Sequence, residues 1–278
     1  MRNWFDRVVL QTKSTRTYPL ASGEQVVQPF SFMPLILLVL LILIAIAWDA
    51  TSIRLDILWQ RFSNFFDILL RMNNPDWSYL ERVQGPMLDT IQMSFLGSLL
   101  GSLFSLPVAF LASANINKNK FLLWLTRLIL SVFRTLPVLV YAAILALIFG
   151  FGTLAGTLAI MMFTFAIMSK MLYEVIETID LGAYTAVEST GSTKPTAFVT
   201  AILPQILPAY LSLSLYSFEI NIRYAAILGW VGAGGIGLLM DDRMSWRAYN
   251  DVFVILLVLF LIVVSIEQLS RYVRKRLA

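Results

Sequence analysis

The chain has 278 residues, of which 58% are hydrophobic and 14% are charged, and its formal net charge is +4. Soluble domains are typically about 45–50% apolar and about 25% charged, so this composition predicts an integral membrane protein. The sequence contains no cysteine and no histidine, which excludes disulfides, thiolate nucleophiles, histidine-based acid–base chemistry and the usual zinc ligands.

The N-terminal part of the chain is polar over residues 1–31, which we interpret as an uncleaved cytoplasmic tail because a signal peptide would place its apolar core closer to the start. Residues 32–48 are apolar and predict the first transmembrane helix. In residues 49–86 the basic side chains do not outnumber the acidic ones, which favours an extracytoplasmic loop. Apolar residues there recur at helical spacing and predict an amphipathic helix, lying on the membrane surface or packed against the bundle.

The second predicted span covers about residues 90–112 and carries small residues at a spacing of four, namely Gly97, Gly101 and Ser105. Such a stripe lets another helix approach closely, so we expect it to be a packing surface, with a direct pathway role as the alternative. Lys118 and Lys120 then indicate a return to the cytoplasm.

The third predicted span, residues 121–149, contains two arginines and a proline. Arg127 can extend its charge to the nearby interface and needs no special role, whereas Arg134 lies deeper. An arginine near mid-membrane costs about 3 kcal/mol on insertion scales, so Arg134 is expected to have a partner or to face an aqueous path. Pro137 is expected to kink this helix.

A fourth span is predicted over residues 153–171, with Lys170 and Glu174 as a solvated pair at its cytoplasmic end. A mostly polar segment, residues 180–204, follows between two apolar runs. Its pattern predicts a short helix, a turn at Gly191 and a second helix that begins near Lys194, all outside the membrane.

The fifth span is predicted from Pro208 to about Gly229, with Glu219 and Arg223 at i,i+4 in the favourable order. At 1.5 Å per residue from Pro208, this pair lies roughly 16–22 Å into an apolar core of about 30 Å, so we expect it to be buried in the bundle or to face water. The pair is predicted either to lock the helix to its neighbours or to contribute to a path.

Five glycines within residues 229–237 predict an irregular break in the chain. A phosphate-binding loop is excluded because the strand–helix context and the following Lys-Ser/Thr are missing. At membrane depth such backbone must be buried or line a cavity, so we interpret it as a re-entrant break and a candidate gate. The last span, about residues 249–265, and a basic tail at 271–278 complete an all-α polytopic bundle of six transmembrane helices with both termini cytoplasmic.

The polar segment is similar to the cytoplasmic motif of the membrane subunits of ATP-binding-cassette importers, Glu-Ala-Ala, three residues, Gly, nine residues, then Ile-x-Leu-Pro. The spacing is kept, and the motif falls on Thr185, Ala186, Val187, Gly191, Ala201, Leu203 and Pro204. The chain departs from the motif where Thr185 replaces the acid and Ala201 replaces the isoleucine.

Further stretches, in matching order, resemble the phosphonate-uptake branch of these importers. They cover residues 74–77, 90–101, 133–137, 150–156, 174–180 and 215–223.

The resemblance implies a type I importer permease, with residues 87–270 as its core, in the bacterial inner membrane. Its expected partners are a second permease subunit, identical or a sibling, two cytoplasmic ATPase subunits and an extracytoplasmic binding protein, together with the lipid bilayer but no nucleic acid. The chain itself is expected to hold no cofactor or metal and to catalyse no reaction, since the partner subunit uses the ATP.

We expect three sets of functional residues. Coupling to the ATPase is assigned to Tyr184, Thr185, Ala186, Val187, Glu188, Gly191 and Lys194. The translocation pathway is assigned to Arg134, Tyr216, Glu219, Asn221 and Arg223. The gate is assigned to Gly232, Gly234, Gly235 and Gly237.

The expected cargo is a phosphonate or a related phosphorus oxyanion. A related permease for methionine, a choline-type solute or another oxyanion is the alternative, because substrate choice in such systems lies largely in the binding protein. An intramembrane enzyme is the other alternative, although no paired acids lie at one depth.

Overall fold

A computed structural model of the chain describes residues 17–19, 25–27, 32–52 and 54–277. These residues form two compact units that divide between Phe65 and Phe66. The first unit contains a short antiparallel hairpin of β1 (Thr17–Pro19) and β2 (Gln25–Val27). The all-α prediction did not include this hairpin, and the rest of the predicted 1–31 tail lies outside the described residues.

The first unit continues with α1 (Met33–Ala50), an almost wholly apolar helix with a proline in its first turn, where the missing N–H costs nothing. By length and composition this helix could cross a membrane, as the first predicted span requires. Next comes α2 (Leu55–Met72), which runs across the division between the units. Its apolar residues lie on one face, as the predicted amphipathic helix requires.

All the regular secondary structure described in the second unit is helical. Its α-helices are α3 (Leu80–Ala112), α4 (Lys120–Thr135), α5 (Val138–Phe149), α6 (Thr153–Thr178), α7 (Gly182–Ser189), α8 (Lys194–Ala197), α9 (Leu203–Leu228), α10 (Gly235–Ser245) and α11 (Tyr249–Leu277). A 3₁₀ turn, Trp77–Tyr79, precedes α3, a π-helical turn, Phe198–Ile202, joins α8 to α9, and a second 3₁₀ turn, Gly229–Val231, follows α9.

Five segments of the described chain are long and apolar enough to cross a membrane, and α4 with α5 forms a sixth if the bent pair counts as one span. The predicted kink at Pro137 was too mild, because α4 and α5 meet at 87°. Leu136 has extended backbone, as the residue before a proline prefers, and Pro137 starts a new helix. Helix α3, which contains the second predicted span, begins at Leu80, about ten residues before that span.

The predicted small-residue stripe is a packing surface between α3 and α6. Gly97, Gly101 and Ser105 are all buried. A Cβ atom at Gly101 would lie 2.6 Å from the Met161 carbonyl oxygen, and one at Gly97 would lie 2.7 Å from the Ile160 side chain. The two backbones therefore approach too closely for any residue larger than glycine at these positions.

We expect Gly101→Ala to lower the free energy of unfolding by about 1–3 kcal/mol, because the added methyl group meets backbone that cannot move aside. The matched control is Gly85→Ala in the same helix, where a Cβ would meet nothing within 4 Å. Thermal unfolding in detergent, followed by tryptophan fluorescence, compares the two variants. Equal melting temperatures for both would contradict the packing assignment.

Candidate functional site

The predicted helix–turn–helix segment is present in the structure. Helix α7 ends at Ser189, Gly191 has a left-handed φ of +88°, and α8 starts at Lys194. Glycine adopts this conformation without the steric cost that a Cβ imposes. The turn therefore needs glycine for its backbone conformation and not for lack of space, because a Cβ at Gly191 would meet nothing within 4 Å.

Helix α7 is anchored on one face and exposed on the other. Tyr184 is only 4% exposed and belongs to a core that includes Ile116, Leu172 and Ile176. Burial raises the pKa of the Tyr184 phenol, and the Glu188 carboxylate adds to that rise. The residues predicted to contact a partner that remain exposed are Thr185, Ala186, Gly191 and Lys194, while Val187 and Glu188 are half-buried. One face of α7 is therefore anchored in the core, and the opposite face is exposed.

The predicted Glu219–Arg223 pair forms, and a third residue joins it. The Glu219 carboxylate, 8% exposed, accepts hydrogen bonds from Arg223 and from Arg274, each at 3.0 Å. Arg223 also pairs with Glu267 at 3.2 Å, and Arg271 pairs with Glu267. We call these five residues the α9–α11 ion network. Three arginines and two glutamates leave it one positive charge in excess.

The ion network lies beside the C-terminal end of α11. Arg274 is one turn from the end of that helix at Leu277, so its partner Glu219 is level with the basic end of α11. Pro208 lies inside α9, which starts at Leu203, so a count of residues from Pro208 does not begin at the start of the helix.

Arg274 is the member of the ion network that sequence reasoning missed. The sequence places it in a basic tail at 271–278, although α11 continues without a break from Tyr249 to Leu277. The available signal was the spacing of four between Glu267 and Arg271, which is typical of a helix that continues past residue 265.

Two of the predicted pathway residues on α9 have different environments. Tyr216 is 42% exposed, with the Arg274 guanidinium 5.8 Å from its ring centre. Asn221 is only 1% exposed, and its amide nitrogen donates to Ser98 Oγ at 2.8 Å and to Thr164 Oγ1 at 2.7 Å. Asn221 therefore joins α9 to α3 and α6 at one polar point.

A small cavity of about 80 Å³ lies between α6 and α9 beside this junction. Thr164, Tyr216, Asn221 and Tyr224 are among the residues that line it. Arg134 is separate from this group: it is exposed in the last turn of α4 and forms no ion pair within the described chain. The described chain gives Arg134 no charged partner, and its place on an aqueous path stays a prediction.

The glycine-rich break is irregular, as predicted, and three of its five glycines, Gly229, Gly234 and Gly237, are buried. Gly232, Gly234 and Gly235 have φ angles between +68° and +77°. The Gly232 carbonyl accepts from Gly152 N at 2.9 Å, and the Thr90 hydroxyl accepts from Ile236 N at 2.8 Å. A Cβ at Gly237 would lie 2.1 Å from the Ala226 carbonyl oxygen. A Cβ would meet backbone first at Gly234 and Gly237, and a side chain first at Gly232 (Phe151) and Gly235 (Thr90). No cluster of three or more metal-ligating side chains occurs in the described part of the chain.

We expect Asn221→Ala to destabilise the protein by about 1–3 kcal/mol, because the buried hydroxyls of Ser98 and Thr164 lose their partner. Ser214→Ala is the matched control, since that hydroxyl donates only to a carbonyl of its own helix. Thermal unfolding of both variants is the measurement. An Asn221→Ala protein as stable as the control but deficient in transport would show that Asn221 acts on a substrate.

Residues 101–278 match the family of binding-protein-dependent transport system inner membrane components. The phosphate-import permease protein PhnE of Mycolicibacterium smegmatis is 34% identical over 188 residues, which make up 68% of this chain and 35% of that protein. The phosphite transport system permease protein PtxC of Stutzerimonas stutzeri is 32% identical over 201 residues, 72% of this chain and 73% of that protein. The chain thus spans about a third of the mycobacterial relative's length and about three quarters of PtxC.

Among solved structures, the inward-facing methionine ABC transporter MetNI contains a chain that aligns with a TM-score of 0.65 at 19% identity. The alignment covers 73% of this chain and 99% of that one, so the likeness shows a shared fold. The chain therefore belongs to the binding-protein-dependent transport system inner membrane component family and is a multi-pass permease subunit of an ATP-binding-cassette importer of type I.

Proposed function

We propose that the cargo of this permease is a phosphonate or a related phosphorus oxyanion such as phosphite. The observation that carries this proposal is the half-exposed Arg223 in an ion network with one excess positive charge. Glu219 and Glu267 hold the Arg223 guanidinium in place but also weaken its attraction for an anion. A translocation pathway needs a positive group that attracts the anion only weakly, because an anion that bound tightly would not be released.

The pathway in this proposal is the exposed face of α9 around Tyr216 and Arg223, together with Arg134 at the end of α4. Two buried residues of the same helix support this face. Glu219 orients the Arg223 guanidinium, and Asn221 fixes the rotation of α9. The glycine-rich break forms the gate through Gly232, Gly234, Gly235 and Gly237, whose backbone can change conformation where other residues could not.

The proposed assembly has two permease subunits, two cytoplasmic ATPase subunits and an extracytoplasmic binding protein in the bacterial inner membrane. Both termini and α7 face the cytoplasm. The chain has no catalytic role, and ATP is hydrolysed by the partner subunit. The free face of α7 around Thr185 and Ala186 seats in a groove of that ATPase, while the buried Tyr184 transmits the force to the bundle.

A second candidate cargo is a small zwitterion such as methionine, because the fold is shared with a methionine importer. The excess positive charge of the ion network favours the oxyanion.

Reconstitution with the partner ATPase and binding protein tests the cargo. We expect uptake of phosphite or methylphosphonate that excess methionine does not reduce. Arg223→Gln is expected to lower this uptake about tenfold, the equivalent of one charge-assisted contact of about 1.5 kcal/mol. The control is Lys275→Gln, which removes an exposed positive charge of α11 outside the ion network. Methionine uptake in place of oxyanion uptake would refute the proposal.

The ion network also determines which charge swaps are informative. Exchanging Glu219 and Arg223 alone would place a second guanidinium opposite Arg274, so a failed rescue would say nothing about a pathway role. A swap is informative only if Arg274 is changed to a neutral residue at the same time.

We expect Gly191→Val to uncouple the transporter, so that ATP hydrolysis continues while uptake falls. A residue with a side chain pays about 1–2 kcal/mol to adopt the left-handed backbone conformation at this position. A β-branched residue such as valine is least able to adopt that conformation. Gly191→Asn is the matched control, because asparagine tolerates this conformation. Uptake and hydrolysis are measured on the same proteoliposomes, and normal uptake by the valine variant would contradict the assigned role of this turn.

A further inference from the structure

Helix α4 is weakly attached to the bundle by apolar contacts. Leu130 is its one buried side chain, although the helix has 16 residues. Most of its other apolar residues are exposed. A helix with so little buried surface depends on its polar contacts for its position.

The strongest of these polar contacts is made by Arg127. Its Nε and Nη2 atoms donate to the Ala112 carbonyl oxygen at 2.9 and 2.8 Å, which caps the end of α3. Nη2 also donates to the Glu177 carboxylate near the end of α6. The guanidinium lies 4.6 Å from the ring centre of Tyr173. The sequence indicated only that Arg127 extends toward the interface, and the structure instead shows that it joins three helices.

The same carboxylate holds the loop that follows α3. Glu177 Oε1 accepts from Ala114 N at 2.7 Å, and the Asn115 side chain donates to the Ile176 carbonyl at 2.8 Å. Arg127 and Glu177 are only 34% and 28% exposed. Partial burial and several converging hydrogen bonds distinguish this pair from solvent-exposed ion pairs, which contribute little.

This cluster is directly connected to the core that anchors α7. Ile176, the neighbour of Glu177, and Ile116, from the held loop, both pack in the core that contains Tyr184. A continuous series of contacts thus runs from α7 through the end of α6 to Arg127. Helix α4 then leads to Arg134 and the 87° break.

We propose that Arg127 is a positioning residue that makes α4, and with it Arg134, follow the movement of α7. The inference rests on the proposed coupling role of α7. Arginine suits this position because one planar guanidinium reaches the Ala112 carbonyl and the Glu177 carboxylate while it stacks on Tyr173. A lysine has a single charged nitrogen and no planar surface, so Arg127→Lys should restore only part of the function.

Spin-label distances test the positioning step without any partner protein. The natural chain has no cysteine, so Val132→Cys on α4 and Ser189→Cys on α7, both exposed, provide the only two labelling sites. Labelled chain is diluted with unlabelled chain in lipid nanodiscs. We expect Arg127→Gln to broaden the 132–189 distance distribution. Lys170→Gln, which breaks the exposed 3.2 Å pair with Glu174 on α6, should leave it unchanged. An unchanged distribution in Arg127→Gln would overturn the proposal.

The functional arm measures uptake per ATP hydrolysed in the assembled transporter. We expect a several-fold lower ratio for Arg127→Gln, an intermediate ratio for Arg127→Lys and a normal ratio for Lys170→Gln, at equal amounts of assembled complex. A normal ratio for Arg127→Gln, in a system where Gly191→Val is uncoupled, would also overturn the proposal. If Gly191→Val is itself coupled, the proposed role of α7 fails, and the distance measurement still decides whether Arg127 positions α4.

Discussion

The close approach of α3 and α6 is the contact on which the rest of the second unit depends. Two buried glycines, Gly97 and Gly101, bring the helix backbones together, and this places hydroxyl groups of both helices within reach of Asn221. Asn221 in turn sets the rotation of α9. Because residues two apart on a helix point in nearly opposite directions, fixing Asn221 inward directs Glu219 away from the junction, toward α11. The geometry of the ion network between α9 and α11 thus depends on the glycine contact between α3 and α6.

A second chain of contacts organises the other end of the bundle. There a carboxylate, Glu177, collects hydrogen bonds from a guanidinium and a loop amide, and an adjacent apolar core holds Tyr184. The two regions suit different tasks. A polar junction sealed among three helices resists movement, whereas α4, with one buried side chain, can be displaced as a unit. We infer that a permease driven from outside needs both kinds of attachment.

Several features could be predicted from sequence because they are local. The apolar runs, the turn at Gly191 and the i,i+4 pairing of Glu219 with Arg223 each depend on residues within one or two helical turns. The features that were missed depend on residues far apart in the chain. The bond from Arg274 to Glu219 spans 55 residues and that from Arg127 to Glu177 spans 50, and no local pattern indicates which charges will meet.

The sequence by itself determined that the chain is a polytopic membrane protein, which stretches are apolar enough to span, and that a glycine turn separates the two helices of a polar segment. The reason is that hydrophobic length and backbone conformational freedom are properties of short stretches. Only the tertiary structure decided that Asn221 is sealed in a junction, that Pro137 divides one predicted span into two helices at 87°, and that the C-terminal Arg274 completes an ion network. These outcomes depend on which helices pack together and at what level, and that is decided by side-chain packing across the whole bundle.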